Sequence, residues 1–281
     1  MKKATVYIII TLLILTAFSL YALWADKAIG TRVIEIKSDK IPPGFDGFCI
    51  AHISDLHNTV FGDDNEKLLN EIKKIKPDII AVTGDSVDSR RTNIDITIDF
   101  FRKALEIAPV YFVTGNHEAR IEAYPVFEIG LKRLGIVSAE NELIPIEKNG
   151  DQITLCGVGD PAFPADYLFN EEASVVEHYL DKLGSSDSFT LLLSHRPEFF
   201  DLYVSYGFDL VLSGHAHGGQ FRLPFVGGLI APGQGLFPEY DSGLYEKENT
   251  RMIVSRGLGN SIIPLRLFNR PEIISVLLKS V

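Results

Sequence analysis

The sequence predicts an α/β domain in which helices cover central β-sheets, and three observations carry that expectation. From residue 33 onward, short apolar and β-branched runs alternate with helix-like segments, without internal repeat or low-complexity linker. Runs such as FDLVL, at 208 to 212, read as buried strands. At 281 residues, with 46% hydrophobic and 23% charged residues, the chain can bury a full core as one large domain or two small ones, which excludes disorder.

The first 25 residues stand apart. Lys2 and Lys3 precede the uncharged stretch Val6–Trp24. At 1.5 Å per residue a helix of that length spans roughly 28 Å, about the hydrocarbon thickness of a bilayer. An uncleaved membrane anchor is expected over 1–27, with the folded domain over 28–281. A cleaved signal peptide is the alternative, although Leu23, rather than a small residue, lies three before the best cut after Ala25. A buried helix of the domain fits less well, because no face of the segment carries charge. Lys2 and Lys3 place the amino terminus in the cytoplasm, with Lys27 and Arg32 weakening the asymmetry. The rest of the chain is then expected outside the cytoplasmic membrane, in a single-pass protein.

In chain order the expected strands are 32–37, 48–54, 78–84, 110–115, 152–159, 189–194, 208–214, 251–255 and 272–278, with helices near 64–75, 93–106, 124–134, 171–183 and 197–205. The Gly- and Pro-rich stretch 218–243 reads as a long structured loop. Both cysteines, Cys49 and Cys156, fall inside apolar runs and read as small buried hydrophobes rather than a disulfide. Setting Lys2 and Lys3 aside leaves 25 basic residues against 37 acidic, a net charge of −12. That balance argues against a nucleic-acid surface, which needs a basic stripe to replace counterions.

The residues that follow the strands carry the chemistry. Behind FCIAHIS come Asp55 and His57; behind DIIAVT come Gly84, Asp85 and, a little later, Asp88; behind VYFVT come Gly115, Asn116, His117 and Glu118. FTLLLS is followed by His195, and FDLVLS by Gly214, His215, Ala216 and His217. Five of the seven histidines therefore sit at strand tips, and His52 and His178 are left as structural. Ligand sites in open α/β sheets form outside the carboxyl ends of the strands, so these residues can converge from distant parts of the chain.

The ordered set DLH, GDSVD, GNHE, SHRP and GHAHGGQ resembles the calcineurin-like metallophosphoesterases, which carry D-x-H, G-D-x-x-D, G-N-H-[DE], a lone His and G-H-x-H. The tail SRGLGNSIIPLRLFNRPEI and the loop GGQFRLPFVGG further resemble a membrane-associated bacterial subgroup of YkuE- and YaeI-like phosphodiesterases, itself similar to a UDP-2,3-diacylglucosamine hydrolase. The resemblance implies a two-layer β-sheet sandwich flanked by α-helices and a centre of two divalent metal ions. One ion takes Asp55, His57, Asp85 and His217; the other takes Asp85, Asn116, His195 and His215. Mixed oxygen and imidazole donors suit Mn, Fe or Zn rather than Ca.

From this follows an expected phosphoester hydrolase, acting on diesters or pyrophosphates through a bridging hydroxide. A broad-specificity phosphomonoesterase and a non-catalytic metal-binding surface protein are the alternatives. His117 is the expected proton donor to the leaving oxygen, the other reading being a packing histidine. Asp88 and Glu118 are expected to orient ligand histidines. Arg120, Arg196 and Arg222 are candidate phosphate contacts or, equally, solvated surface residues. Phe221, Leu223, Phe225, Leu229, Ile230, Leu236 and Phe237 make the 218–243 loop unusually apolar. It either packs over the core or faces the bilayer beside the anchor and admits a lipid-linked or nucleotide-lipid substrate.

Overall fold

The computed structural model describes residues 2–163, 171–184, 186–260 and 265–281. Part of the tail that carries the subgroup resemblance, 261–264, lies outside the described residues. Helix α1 (Lys2–Ala25) leads into β1 (Gly30–Ser38), β2 (Cys49–Ile53), α2 (Glu66–Ile75), β3 (Ile79–Thr83), α3 (Ile94–Leu105), β4 (Val110–Val113), α4 (Tyr124–Leu134) and β5 (Val137–Ser138). The second half supplies β6 (Leu143–Lys148), β7 (Asp151–Gly157), α5 (Glu172–Leu183), β8 (Thr190–Leu193), α6 (Phe200–Ser205) and β9 (Leu210–Ser213). Two small hairpins follow, β10 (Arg222–Leu223) with β11 (Gly227–Gly228) and β12 (Ile230–Ala231) with β13 (Gly235–Leu236), before β14 (Gly243–Lys247), β15 (Thr250–Val254) and β16 (Glu272–Ser280).

Two six-stranded sheets result, ordered β1-β16-β2-β3-β4-β5 and β14-β15-β9-β8-β7-β6. Strands β2 to β5 are mutually parallel, as are β7, β8, β9 and β15, so each sheet brings its strand-end loops to one edge. The central strands are apolar on both faces, and the alternation decides which layer each residue joins. Ile79 and Ala81 face the second sheet, where they meet Leu191, Leu193 and Leu212; Ile80 and Val82 face α2 and α3 through Leu68, Ile72 and Phe101. Leu192 and Val211 turn outward onto Val176, Leu180 and Phe200 of α5 and α6. The sandwich is thus four layers deep, helix, sheet, sheet, helix.

All nine expected strands and all five expected helices of the domain are present. Short or edge strands such as β5 and β14 were not legible, because an edge strand with one exposed face carries little apolar signal. Cys49 and Cys156 are buried free thiols. Helix α1 is apolar around its whole circumference, long enough to cross a membrane, and touches the domain only near its carboxyl end, where Ala22 and Ala25 are buried. The 218–243 loop departs from the reading of it as core packing: Leu223, Phe225, Ile230, Leu236 and Phe237 all lie exposed on the hairpins.

Candidate metal centre

The loops that leave β2, β3 and β4 are laced together before any side chain is considered. Asp55 N donates to the Gly84 carbonyl at 3.1 Å, His57 N to that of Asp85 at 3.0 Å and Asn58 N to that of Ser86 at 3.1 Å. Glu118 completes the lacing: its buried carboxylate accepts from the backbone N–H of Asp85 (2.8 Å), Ser86 (2.7 Å), Val87 (3.2 Å) and Gly115 (2.8 Å). Burial and the charge of Asp85 push the Glu118 carboxyl up, while the N–H groups of Gly115 and Val87 pull it back toward the ionised form. Its four partners are all donors, an arrangement that the acceptor-only carboxylate satisfies. Glu118 therefore holds backbone, and not the histidine expected of it. Asp88 serves the same purpose for its own turn, accepting from Arg90 N at 2.8 Å, and comes only to 4.0 Å of His117 Nδ1.

The close approach of these loops explains the glycines of the motifs. A Cβ on Gly84, at φ +79°, would lie 2.6 Å from the Gly115 nitrogen, which leaves no room for any other residue. Asp55, His57, Asp85, His215 and His217 also adopt left-handed φ between 47° and 64°. Such conformations cost about 1–3 kcal/mol each outside glycine and cluster where function fixes the backbone.

The side chains converge as two groups that share a member. Ligand atoms of Asp55, His57, Asp85 and His217 lie within 4.8 Å of one another, and so do those of Asp85, His195 and His215. All are buried. Asp85 Oδ2 faces both groups, 3.7 Å from His57 Nε2 and 3.3 Å from His195 Nε2. Asn116 joins the second group, its Oδ1 3.3 Å from His195 Nε2. Asp55 Oδ1 is 3.4 Å from His217 Nε2, and His195 is oriented through Nδ1, which meets the Thr83 carbonyl at 2.8 Å.

The electrostatics of this cluster are those of a donor set. Burial lowers His57 and His217 to about 3, so both rings are neutral. Their Nε2 atoms nonetheless face each other at 3.1 Å beside two carboxylates. Burial also pulls His195 down, but Asp85, Asp55 and Asp160 more than reverse it, to about 10, while the histidines hold Asp85 well below the usual carboxylate range. The neutral rings of His57 and His217 and the carboxylate oxygens aim at a common point, as a divalent cation requires, and His195, which Asp85 keeps protonated, would release its Nε2 proton on binding one, so the residues fit the metals that the sequence implies.

His117 lines the adjoining cleft, of about 360 Å³, with Asn116, Ser89, Arg90, Arg120 and Arg196. The backbone N–H of Ser89 donates to His117 Nδ1 at 3.0 Å, which leaves the proton of the neutral ring on Nε2, 4.0 Å from Asp85 Oδ2. The three candidate arginines separate. Arg120 is exposed at the cleft, consistent with a substrate contact. Arg196 lines it too but is buried and clamped by Asp160, Nε to Oδ2 at 2.6 Å and Nη2 to Oδ1 at 3.0 Å. Arg222 lies on β10, where it pairs with Asp241 at 2.9 Å and donates to the Gly218 carbonyl, and it is not among the residues lining the cleft.

Sequence reasoning missed several supports. Asp160 follows β7 in the same strand-end position as the candidate ligands, and that signal was available. Arg266 gave none: it is buried, donates to the carbonyls of Arg256 and Gly259 and to Asn260, and its backbone N–H meets Asp26 just after α1. Asn269 pins the GHAHGGQ turn through the carbonyls of His217 and Gln220.

A double sheet with imidazole, carboxylate and amide donors at adjoining strand ends has the form of a metallohydrolase. The family follows: the calcineurin-like phosphoesterase model matches residues 49–219, and the chain belongs to that family. It is 33% identical to the metallophosphoesterase YkuE of Bacillus subtilis (strain 168) over 90% of this chain and 86% of that one. It is also 28% identical to a transmembrane protein with metallophosphoesterase domain of Danio rerio, over 96% of this chain and 62% of that one. Among solved structures, TT1561 of Thermus thermophilus shares the fold, with a TM-score of 0.52 and 18% identity over 75% of this chain and 90% of that one.

Proposed function

We propose that the protein is a binuclear metal-dependent phosphoesterase that hydrolyses phosphodiesters or pyrophosphates, lipid-linked or nucleotide-lipid esters among them, on the outer side of a membrane crossed by α1. The observation that carries this reading is the sharing of Asp85 between two buried donor groups, because its Oδ2 faces both of them and a single carboxylate oxygen has lone pairs enough for two ions, while Oδ1 accepts from His117 N at 2.7 Å. Asp55, His57, Asp85 and His217 would hold one ion, and Asp85, Asn116, His195 and His215 the other. Mn suits this donor set, with Zn or Fe as alternatives. When bound, the pair would polarise the phosphoryl oxygens and make a water acidic enough to attack.

The remaining work falls to the chain itself. His117, its Nδ1 occupied by Ser89, presents Nε2–H to the cleft, where it can donate to the leaving oxygen. Arg120 and Arg90 at the same cleft offer guanidinium groups to the non-bridging oxygens. Preference for a diester is supported by a second cavity of about 440 Å³, which has His57 in its wall and adjoins the turn 88–91. Asp88 and Arg91 face this cavity while Ser89 and Arg90 face the first, so a phosphate can carry one substituent into each.

The test is hydrolysis of bis-p-nitrophenyl phosphate and p-nitrophenyl phosphate by the full chain, stripped of metal and then given Mn²⁺. Metal-dependent turnover favouring the diester supports the proposal. Preference for the monoester replaces it with the phosphomonoesterase, and two bound metals without turnover leave a metal-binding protein.

A further inference from the structure

We infer that the hairpins β10–β11 and β12–β13 are a second contact with the lipid bilayer, inserting beside α1 and seating the metal cleft on the membrane surface. The topology brings the anchor and the candidate site to one end of the molecule. Strand β1 runs parallel to β16, which runs antiparallel to β2, so Gly30 at the start of β1 lies at the end where β2 delivers Asp55. Helix α1 ends at Ala25, only five residues earlier, and leaves the domain from that end with most of its surface uncovered.

The hairpins rise from the same end and are tied to the segment that holds α1. Phe221 bridges to Leu267, Arg222 N donates to the Leu267 carbonyl at 3.0 Å, and Gln220 Nε2 donates to the Leu265 carbonyl at 2.9 Å. From the other side of that segment, the Phe268 ring lies 5.6 Å from Tyr21, and Arg270 stacks 5.0 Å from the Trp24 ring while donating to the Ala28 carbonyl. Tyr21 and Trp24 are the residue types that mark the membrane interface. Phe225 is three residues from Arg222, within about 11 Å of chain, so the hairpin tips stay close to that interface.

What the tips present is apolar. Phe225 is wholly exposed, Leu236 is 72% and Phe237 66% exposed, and Leu223, Val226 and Phe268 are exposed with them. Outside α1, every exposed phenylalanine among the described residues belongs to this patch. Clusters of this kind mark interfaces, whereas single exposed aliphatics do not. The bilayer is the occupant because α1 already fixes it there, and apolar faces of monotopic proteins sink about 5–10 Å into the headgroup boundary. The hairpins carry a single basic residue, Arg222, which is already paired with Asp241, so insertion is driven by the apolar side chains rather than by anionic lipid.

Pro232 and Gly233, in the turn that joins β12 to β13, wall the cleft that holds His117. Insertion therefore opens that cleft at headgroup level, which makes a membrane phosphoester the substrate class. This last step rests on the phosphoesterase reading; the membrane contact does not.

The full chain in phosphatidylcholine nanodiscs, with or without doxyl-labelled lipid, tests the contact. Cys49 and Cys156 are buried, so a maleimide bimane reports from an introduced cysteine. Phe225→Cys and Leu236→Cys are compared with Leu13→Cys in α1 and with Asn149→Cys in the β6–β7 turn, at the opposite ends of the strands. The inference expects quenching at 225 and 236 within about twofold of that at 13 and little at 149, unchanged when a third of the lipid is anionic. Quenching at 13 without quenching at 225 and 236 overturns it, and a dimer on gel filtration would then identify a second copy as the occupant. No quenching at 13 overturns the anchor and the contact together. Turnover of soluble bis-p-nitrophenyl phosphate by a Phe225→Asp, Phe237→Asp double variant, within about twofold of the unmodified chain, separates these outcomes from failure of the phosphoesterase reading.

Discussion

Glu118→Gln offers a demanding test of how the site is built. Each carboxylate oxygen of Glu118 serves a pair of backbone donors, Oε2 those of Asp85 and Gly115 and Oε1 those of Ser86 and Val87. Glutamine keeps one oxygen and replaces the other with an NH₂, so one pair of buried N–H groups loses its acceptor and meets a donor. An orphaned buried donor costs about 1–3 kcal/mol, which puts the loss near 4 kcal/mol, a large share of the roughly 5–15 kcal/mol that holds a domain together. For a domain of this size each kcal/mol moves the melting temperature by about 2–4 °C, so thermal unfolding of the metal-free chain followed by circular dichroism should show a fall of about 8–16 °C. The loosened turns carry Asp85 and Asn116, and metal affinity should drop by about 10- to 100-fold on titration with Mn²⁺. A fall of less than about 2 °C with unchanged affinity would falsify the view that this carboxylate laces the loops.

The remaining expectations concern single positions. His117→Ala should retain two metals per chain while kcat on a diester falls by about 10²- to 10³-fold; loss of metal instead would make His117 a ligand. Asp85→Asn, which removes the charge both donor groups share, should abolish binding at both positions by elemental analysis, and a variant that keeps one full equivalent would argue against bridging. Gly84→Ala forces a Cβ to 2.6 Å from the Gly115 nitrogen and should yield a chain with neither metal nor turnover, even if circular dichroism shows intact sheets. Asp160→Ala removes the two shortest bonds of the buried Arg196 guanidinium, leaves it with the longer contacts to Glu198, Glu172 and His215, and should cost about 2–3 kcal/mol in urea unfolding; a neutral result would mean that Arg196 turns out to solvent.

The parts of this molecule that were legible in the sequence are those in which one residue type at one position suffices. Strands β3, β8 and β9 are apolar on both faces because layers cover both, and an uninterrupted apolar run ending in a polar residue announces the strand and its tip together. Asp55, Asp85, Asn116, His195 and His215 were visible for that reason. The supports were not, because each depends on a partner chosen by the fold. Glu118 serves backbone groups from two other loops, Arg266 reaches three carbonyl or amide oxygens in the stretch 256–260, and nothing in the local sequence specifies either partnership. Arg222 shows the same dependence from the other side: its place near a site motif left a phosphate contact and a surface position equally open, and the fold pairs it with Asp241 at 2.9 Å, a partner that the motif does not announce.

The apolar loop shows most plainly where composition stops being informative. Phe221, Leu229 and Phe237 are all large and apolar in the sequence, but their placement is decided by the turns at Gly227, Gly233 and Gly235, whose positive φ angles fold the stretch into two hairpins. A two-residue strand buries at most one face, so a pair of such hairpins cannot shelter seven large apolar side chains and must leave some outside. In water that exposure is a standing cost, of about 25 cal/mol for each Å² of apolar surface. If α1 tethers the chain at that end of the domain, contact with the bilayer recovers the cost, which would give the exposed residues, the position of α1 and the opening of the cleft beside His117 a single physical explanation.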